Sequence, residues 1–217
     1  HPLQTESVVC IAQRSESLAG LIYLGTFYCF ARATEPHAAR GWSVATVLGC
    51  LVGMAAKETV ATAPLLLFLY DRTFVAGTFR AAWAQRGKLY LALACTWILL
   101  AWLMLRSNQR AGTVGFGLGL SSFDYLLTQC QALATYLKLT VWPAPLVVDY
   151  GLPVATRLSA VWPQGLLIIA LLAASVVALR RSPAVGFAGA WFFVILAPSS
   201  SFVPLTTQTI AEHRMYL

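Results

Sequence analysis

The chain alternates between apolar runs and short polar links. Six apolar runs have helical length, at residues 18–31, 42–56, 59–70, 89–105, 162–179 and 184–197. A helix that crosses a bilayer typically needs about 20 residues, so several of these runs are short for a span. The pattern nevertheless predicts a bundle of about six membrane-spanning helices.

Charged residues are too few for a water-soluble surface. The 217 residues are 59% hydrophobic and 11% charged, with a mean hydropathy of +0.70. A soluble domain needs a charged and polar exterior, which this composition does not supply. We therefore expect an all-α, polytopic helical membrane protein that is embedded in the lipid bilayer. The net charge of +7 is scattered without a basic stripe, so no nucleic-acid partner is expected.

Two adjacent charges, Lys57 and Glu58, interrupt the apolar stretch 42–70. With no further loop between the two runs, the pattern predicts a tight helical hairpin that holds both charges at the depth of the lipid headgroups. Ionisable residues at that depth are costly unless they pair or face a watery cavity, which makes them candidate site residues. The alternative is that both side chains snorkel to the interface and only end two helices.

Residues 123–142 predict a helix of a different kind. Its polar residues recur at helical spacing on one face; they are Asp124, Thr128, Gln131, Thr135 and Lys138. Such a helix either lies in the interface or re-enters the membrane and lines a polar cavity, and we expect that it does not cross the bilayer. In the second arrangement, Gln131 and Lys138 line the cavity.

The basic residues predict an orientation. The links 32–40, 72–88 and 180–181 hold eight of the fifteen Lys and Arg residues, whereas of the eight Asp and Glu residues they hold Glu35, with Asp71 directly before the second link. Because Lys and Arg accumulate in cytoplasmic loops, we assign these links to the cytoplasmic side and interpret Asp71 and Arg72 as a helix stop. Glu16, on the other side, is interpreted as an ordinary interfacial charge. The mixed charges on that side suit a site for an anionic headgroup with an acid or base; they are Glu6, Arg14, Glu16, Lys57, Glu58, Asp124, Lys138, Asp149, Glu212, His213 and Arg214.

Four segments, taken in order, resemble one family. They are HPLQTE (1–6) with QRSESLA (13–19), KE (57–58) with Pro64 and LYD (69–71), WP (142–143) with DY (149–150), and AEHRMYL (211–217). They are similar to the HPxxTExV with RxExLA, KExxxxxPxxLxLYD, WPxxLxxDY and EHRxYLP stretches of the transmembrane-and-tetratricopeptide-repeat O-mannosyltransferases and their bacterial relatives. The resemblance covers nearly the whole chain.

The resemblance implies a GT-C architecture and a glycosyltransferase activity. A sugar, mannose or another hexose, would pass from a polyprenyl-phosphate carrier to a protein or glycan hydroxyl on the non-cytoplasmic face. Residues 1–217 would form one membrane-embedded module, incomplete at both ends. The family's first span and the acidic loop with its usual catalytic aspartate would precede His1, and further spans and tetratricopeptide repeats would follow Leu217. We expect a multi-pass protein of the bacterial inner membrane, with its site on the periplasmic side.

The chemistry of this transfer nominates specific residues. The leaving phosphate needs cations, and the acceptor hydroxyl needs a carboxylate to deprotonate it. The candidate phosphate-binding residues are Arg14, Lys57, Lys138, His213 and Arg214. The candidate catalytic carboxylates are Glu6 and Glu58, and the candidate substrate-binding residues are His1, Gln131, Asp149, Tyr150 and Glu212. A divalent metal held by several oxygen ligands stays an open alternative, and no other cofactor is expected.

Two further functions remain open. A transporter or flippase for a lipid-linked or anionic substrate also uses short or broken helices and buried charge, although the sequence shows no pair of related halves. A non-catalytic membrane anchor for repeat domains would tolerate neutralisation of the outer charges.

Overall fold

A computed structural model describes residues 14–108, 122–142 and 161–198. Within these residues the chain is all-helical, as predicted, and has no strand. Its α-helices are α1 (Arg14–Ala33), α2 (Arg40–Ala56), α3 (Ala63–Tyr70), α4 (Phe79–Asn108), α5 (Ser122–Val141), α6 (Trp162–Arg181) and α7 (Pro183–Leu196). A 3-10 helix, Glu58–Thr62, precedes α3, and a π-helical turn, Asp71–Val75, follows it.

Local sequence signals explain where several helices begin. Pro64, Pro163 and Pro183 lie in the first turns of α3, α6 and α7, where a missing N–H costs no helical hydrogen bond. Before α4, the Thr78 hydroxyl accepts a hydrogen bond from the Ala81 N–H at 3.1 Å, as an N-cap residue does. This cap explains why α4 begins at Phe79, whereas the apolar pattern predicted a link as far as residue 88.

Two pairs of consecutive helices pack along each other. These pairs are α1 with α2 and α6 with α7, while α4 packs on α2 and α5 packs on α6. Only Ser182 separates α6 from α7, in agreement with the predicted tight turn. A Cβ atom at Gly186 would overlap the backbone of Leu179, so a glycine is required where α7 passes so close to α6.

The core lies between α1, α2, α3, α4 and α7. Tyr23, Phe30, Leu66 and Leu93 are fully buried there, and Ile195 is nearly so. Aromatic rings connect the helices, since Tyr23 meets Trp191 edge to face at 5.6 Å between ring centroids. This contact places α1 against α7.

The segment around Lys57 corrects the predicted hairpin. Helix α2 ends at Ala56, and Lys57 is extended, with φ −160° and ψ 140°. Helix α3 packs on α1, α4 and α7, whereas the 3-10 helix packs against α2. The chain therefore turns without a long loop, as predicted, but α2 and α3 do not lie side by side because the 3-10 helix occupies that position.

The three basic links lie at one end of the helices. The Arg72 guanidinium donates to the Leu179 carbonyl at 2.8 Å, which joins the link after α3 to the turn at residues 180–181. The ring centroids of Phe30 and Tyr70 are 6.2 Å apart, which brings the end of α1 to the same place. Helix α3 passes at Tyr70 directly into the π-helical turn Asp71–Val75, so the chain is still helical at Asp71 and Arg72 and the predicted helix stop there is wrong. Asp71 is also fully buried and ion-paired with Arg86, which the sequence did not predict.

Two helices are long and apolar enough to cross a membrane. Within the described residues these are Phe79–Leu103 of α4 and Trp162–Arg181, which is α6. Helices α2 and α7 are apolar but shorter, at 17 and 14 residues. The described part of the chain thus supports spanning helices at two of the six predicted positions.

Candidate functional site

Lys57 forms an ion pair across the bundle with Glu16. The Lys57 ammonium donates to the Glu16 carboxylate, and their side chains are 18% and 8% exposed. Glu16 lies in the first turn of α1, whereas Lys57 lies between α2 and the 3-10 helix. Removing two charges from water is costly, so a pair buried to this degree is held by the surrounding fold.

The surroundings of this ion pair are closely packed. The Tyr23 hydroxyl and the Thr62 hydroxyl share a buried hydrogen bond of 3.0 Å, which links α1 to the end of the 3-10 helix. Gly53 lies against the side chain of Val60, so close that a Cβ atom would displace it. The backbone on both sides of Lys57 is therefore fixed, and the ammonium is held at a defined position.

Glu58 is not the described ion-pair partner of Lys57, although the two residues are adjacent in the sequence. Glu58 is exposed at the start of the 3-10 helix, and the described carboxylate in ion-pair contact with Lys57 is that of Glu16. Neighbouring residues at a helix boundary point in different directions, so adjacency in sequence did not produce a pair. Glu16 is thus buried and paired, and its interpretation as an ordinary interfacial charge is wrong.

The predicted polar helix forms, but its stripe is unevenly exposed. Within α5, Thr128 is fully buried, Gln131 is half-buried and Lys138 is exposed. The Thr135 hydroxyl donates to the Gln131 carbonyl at 2.9 Å, within the helix itself. A different face of α5, at Ala132 and Tyr136, packs against Leu196 and Phe192 of α7. The stripe therefore lies at the edge of the contact with α7.

Several predicted site residues lie outside the described part of the chain. They are His1, Glu6, Asp149, Tyr150, Glu212, His213 and Arg214. Arg14 begins α1, but the structure does not describe its side chain. The structure therefore brings together Lys57 and Glu16, with Glu58 adjacent, and leaves the other candidate residues as predictions.

Three polar residues were missed by the sequence analysis. Glu16 had a usable signal, because it lies in the same outer set as Lys57 and just before an apolar run. Gln129 and Gln164 had none, since neither belongs to a motif or to the polar stripe. Both carry buried amide atoms without a hydrogen-bond partner, which only the folded structure reveals.

Known proteins offer no direct guide to this site. Comparisons with protein-family profiles, curated proteins and solved structures find no match. Across residues 14–108, 122–142 and 161–198, no group of three or more His, Cys, Asp or Glu side chains is arranged to hold a metal ion. The function is therefore inferred from the ion pair, its burial and the resemblance of the sequence segments.

Proposed function

We propose that this chain is the membrane-embedded part of a glycosyltransferase that uses a polyprenyl-phosphate sugar. The observation that carries the proposal is the largely buried ion pair between Lys57 and Glu16. It keeps a cation at one end of a bundle of apolar helices, away from the basic links. A lipid-linked donor would present its phosphate at such a level, with its tail among apolar helices and its sugar in water. The GT-C-like family resemblance supports the same chemistry.

The exposed apolar surface supports insertion into a membrane. A helix in the core of a soluble protein is mostly buried, but only 17% of the apolar window in α4 and 6% of that in α6 are buried. Leu105, Leu166 and Ile169 have exposed fractions of 71%, 61% and 65%. Exposed apolar surface along whole helices is unfavourable in water and favourable in lipid. We infer a multi-pass protein with about six spans in a bacterial inner membrane, with Lys57 on the periplasmic side.

The proposed reaction needs two functions from the protein. The acceptor hydroxyl oxygen bonds to the anomeric carbon of the sugar, and the bond from that carbon to the phosphate oxygen breaks. Lys57 stabilises the charge that develops on the leaving phosphate, since a charge-assisted hydrogen bond is strong in a partly dehydrated site. A carboxylate takes the hydroxyl proton. Glu58, exposed beside Lys57, is the described candidate, and Glu6 is the candidate outside the described residues.

The experiment compares Lys57→Met with Lys88→Met in the full-length protein. Both changes remove an ammonium and keep most of the apolar stem. Lys88, however, is exposed in α4, at the end of the bundle where the basic links lie. We expect Lys57→Met to weaken binding of farnesyl phosphate about tenfold or more, because one charge-assisted hydrogen bond is lost. Transfer from farnesyl-phosphate mannose should fall with it, while Lys88→Met stays near the parent. Equal binding and equal transfer in both variants, at normal membrane insertion, would defeat the proposal.

A transporter is the second candidate, favoured by breaks in the helices. Lys57 is extended, a π-helical turn follows α3, and Arg86 interrupts α4 with φ −131° and ψ 23°. Discontinuous helices line the substrate sites of many transporters. Proteoliposomes distinguish the two functions, because a flippase moves a labelled farnesyl-phosphate sugar between leaflets without an acceptor. A transferase releases farnesyl phosphate only when an acceptor hydroxyl is present.

A further inference from the structure

The side-chain amide of Gln129 is buried and makes no hydrogen bond in the described part of the chain. Its side chain lies in α5 and is 1% exposed, and neither its amide oxygen nor its amide nitrogen has a partner. Buried polar groups are nearly always paired in proteins, so an unpaired amide calls for a specific cause such as a bound ligand.

Packing on both sides locates Gln129 in the bundle. Leu127, two residues earlier, packs against Val161, which precedes α6. Ala132, three residues later and therefore on the same helical stripe, packs against Leu196 at the end of α7. The start of α6 and the end of α7 both lie away from the turn at Ser182. Gln129 thus lies at the end of the bundle opposite the basic links, which is the end that carries Lys57.

A second unpaired amide atom lies in the same region. Gln164 is in the first turn of α6, three residues after Val161, and its Oε1 atom is buried without a partner. Helix α7 connects this region to the ion pair, since Ile195 belongs to the core around Val60 while Leu196 packs on α5. Two independent helices therefore bring unpaired glutamine amides to the Lys57 end.

We propose that Gln129 and Gln164 form a hydroxyl-binding subsite for the sugar of the lipid-linked donor. An amide group both donates and accepts hydrogen bonds. A sugar hydroxyl also does both, whereas the phosphodiester of the donor only accepts and an isoprenoid chain does neither. The subsite thus matches the neutral, hydroxyl-rich part of the donor, while Lys57 matches its phosphate. This inference rests on the proposed function, and it adds that different residues bind the sugar and the phosphate of the same donor.

The test measures the thermal midpoint of the full-length protein in detergent with three probes. Farnesyl phosphate reports the phosphate site, farnesyl-phosphate mannose reports phosphate and sugar together, and methyl mannoside reports a free glycan. The variants are Gln129→Leu and Gln164→Leu. Gln85→Leu is the matched control, because Gln85 is exposed at the opposite end. If farnesyl-phosphate glucose or galactose stabilises the parent more than the mannose probe does, that sugar replaces mannose in every arm.

The expected result separates the subsite from a structural role. Removing an unpaired buried amide leaves the stability of the unliganded protein equal or higher, because no hydrogen bond is lost. The shift caused by farnesyl phosphate stays at the parental value in both variants. The additional shift caused by the sugar disappears, and affinity for the sugar-bearing probe falls about tenfold. Gln85→Leu keeps both shifts.

Other outcomes overturn the inference in distinguishable ways. If both glutamine variants keep the full sugar-dependent shift, the amides do not contact the sugar. If both lower the unliganded midpoint and the farnesyl phosphate shift together, their role is structural. A third outcome is that methyl mannoside raises the thermal midpoint of the parent but not that of Gln129→Leu, while no lipid-linked probe raises either midpoint. The subsite then binds an acceptor glycan, and the donor assignment is wrong. If no probe shifts the parent, the proposed function itself fails.

Discussion

Arg86 donates to both carboxylate oxygens of Asp71, at 3.0 Å each, from the residue at which α4 is kinked. The Tyr90 hydroxyl, one turn further along α4, donates to the same carboxylate. Asp71 has no exposed surface, and the Arg86 side chain is 16% exposed. Helix α3 is therefore flanked by two buried ion pairs, with Lys57 and Glu16 before it and Asp71 and Arg86 after it.

Breaking the second pair should destabilise the fold. Arg86→Met leaves Asp71 buried without its cation, and breaking a buried ion pair in this way typically costs about 3–5 kcal/mol. We expect a loss of that order in the free energy of unfolding, measured by denaturant titration of the detergent-solubilised protein. Tyr90→Phe should cost less, about 1–2 kcal/mol, because it removes one hydrogen bond to a charged group and keeps the ion pair.

The double variant Asp71→Asn with Arg86→Met is the control for that cost. Replacing both members of a buried pair by neutral groups is often close to neutral, since no buried charge remains unpaired. We therefore expect its unfolding free energy to lie nearer to the parent than to Arg86→Met. A double variant less stable than Arg86→Met would show that the pair has a stabilising role beyond mutual charge compensation.

Two glycines in the α6–α7 hairpin should respond oppositely to alanine. A Cβ atom at Gly186 would overlap the backbone of Leu179, whereas one at Gly165 would have open space within 4 Å. Gly186→Ala should therefore cost about 1–3 kcal/mol through overpacking. Gly165→Ala should be neutral or stabilise by up to about 1 kcal/mol, because alanine favours a helix. Thermal midpoints of the two variants provide the measurement, and equal midpoints would contradict the close approach.

Much of the helical layout follows from periodicity, but the partners of the charges do not. The apolar runs predicted α1, α2, α6 and α7 to within a few residues, because each run satisfies one local rule of helix formation. The predicted start of α4 was too late, because the Thr78 cap allows the helix to begin within the segment that its polar residues marked as a link. Glu16 and Lys57 are 41 positions apart in the sequence, and no local pattern specifies a contact over that separation. For the same reason, the adjacency of Lys57 and Glu58 in the sequence did not identify the ion-pair partner of Lys57.

The two ends of the bundle should be accessible from opposite sides of a membrane. Glu58 is exposed beside Lys57 at one end of the bundle, whereas Arg80 and Arg180 are exposed at the other end, where the basic links lie. Single cysteines at these three positions, in a background without the native cysteines, should react with a membrane-impermeant maleimide from different sides. We expect labelling of position 58 in intact cells after outer-membrane permeabilisation, and of positions 80 and 180 only after lysis. Labelling of 58 and 80 from the same side would overturn the orientation.

Comparing Glu16→Gln with Glu58→Gln shows which carboxylate holds Lys57. Both changes remove one charge and keep the shape of the side chain. Glu16 is buried against the ammonium, so its neutralisation removes the described carboxylate partner of a largely buried cation and should cost about 1–3 kcal/mol. Glu58 is exposed, and neutralising an exposed carboxylate usually changes the stability by less than about 0.5 kcal/mol.

If the proposed function is right, a bound phosphate takes the place of the Glu16 carboxylate as counter-ion of Lys57 in the Glu16→Gln variant. Saturating farnesyl phosphate should then raise the thermal midpoint of Glu16→Gln more than that of the parent, because a ligand stabilises most where it replaces a missing partner. Equal destabilisation by the two variants would mean that Glu16 is not the partner of Lys57 in solution. A larger midpoint shift in the parent than in Glu16→Gln would instead show that Glu16 helps to bind the phosphate, for example by fixing the ammonium in place.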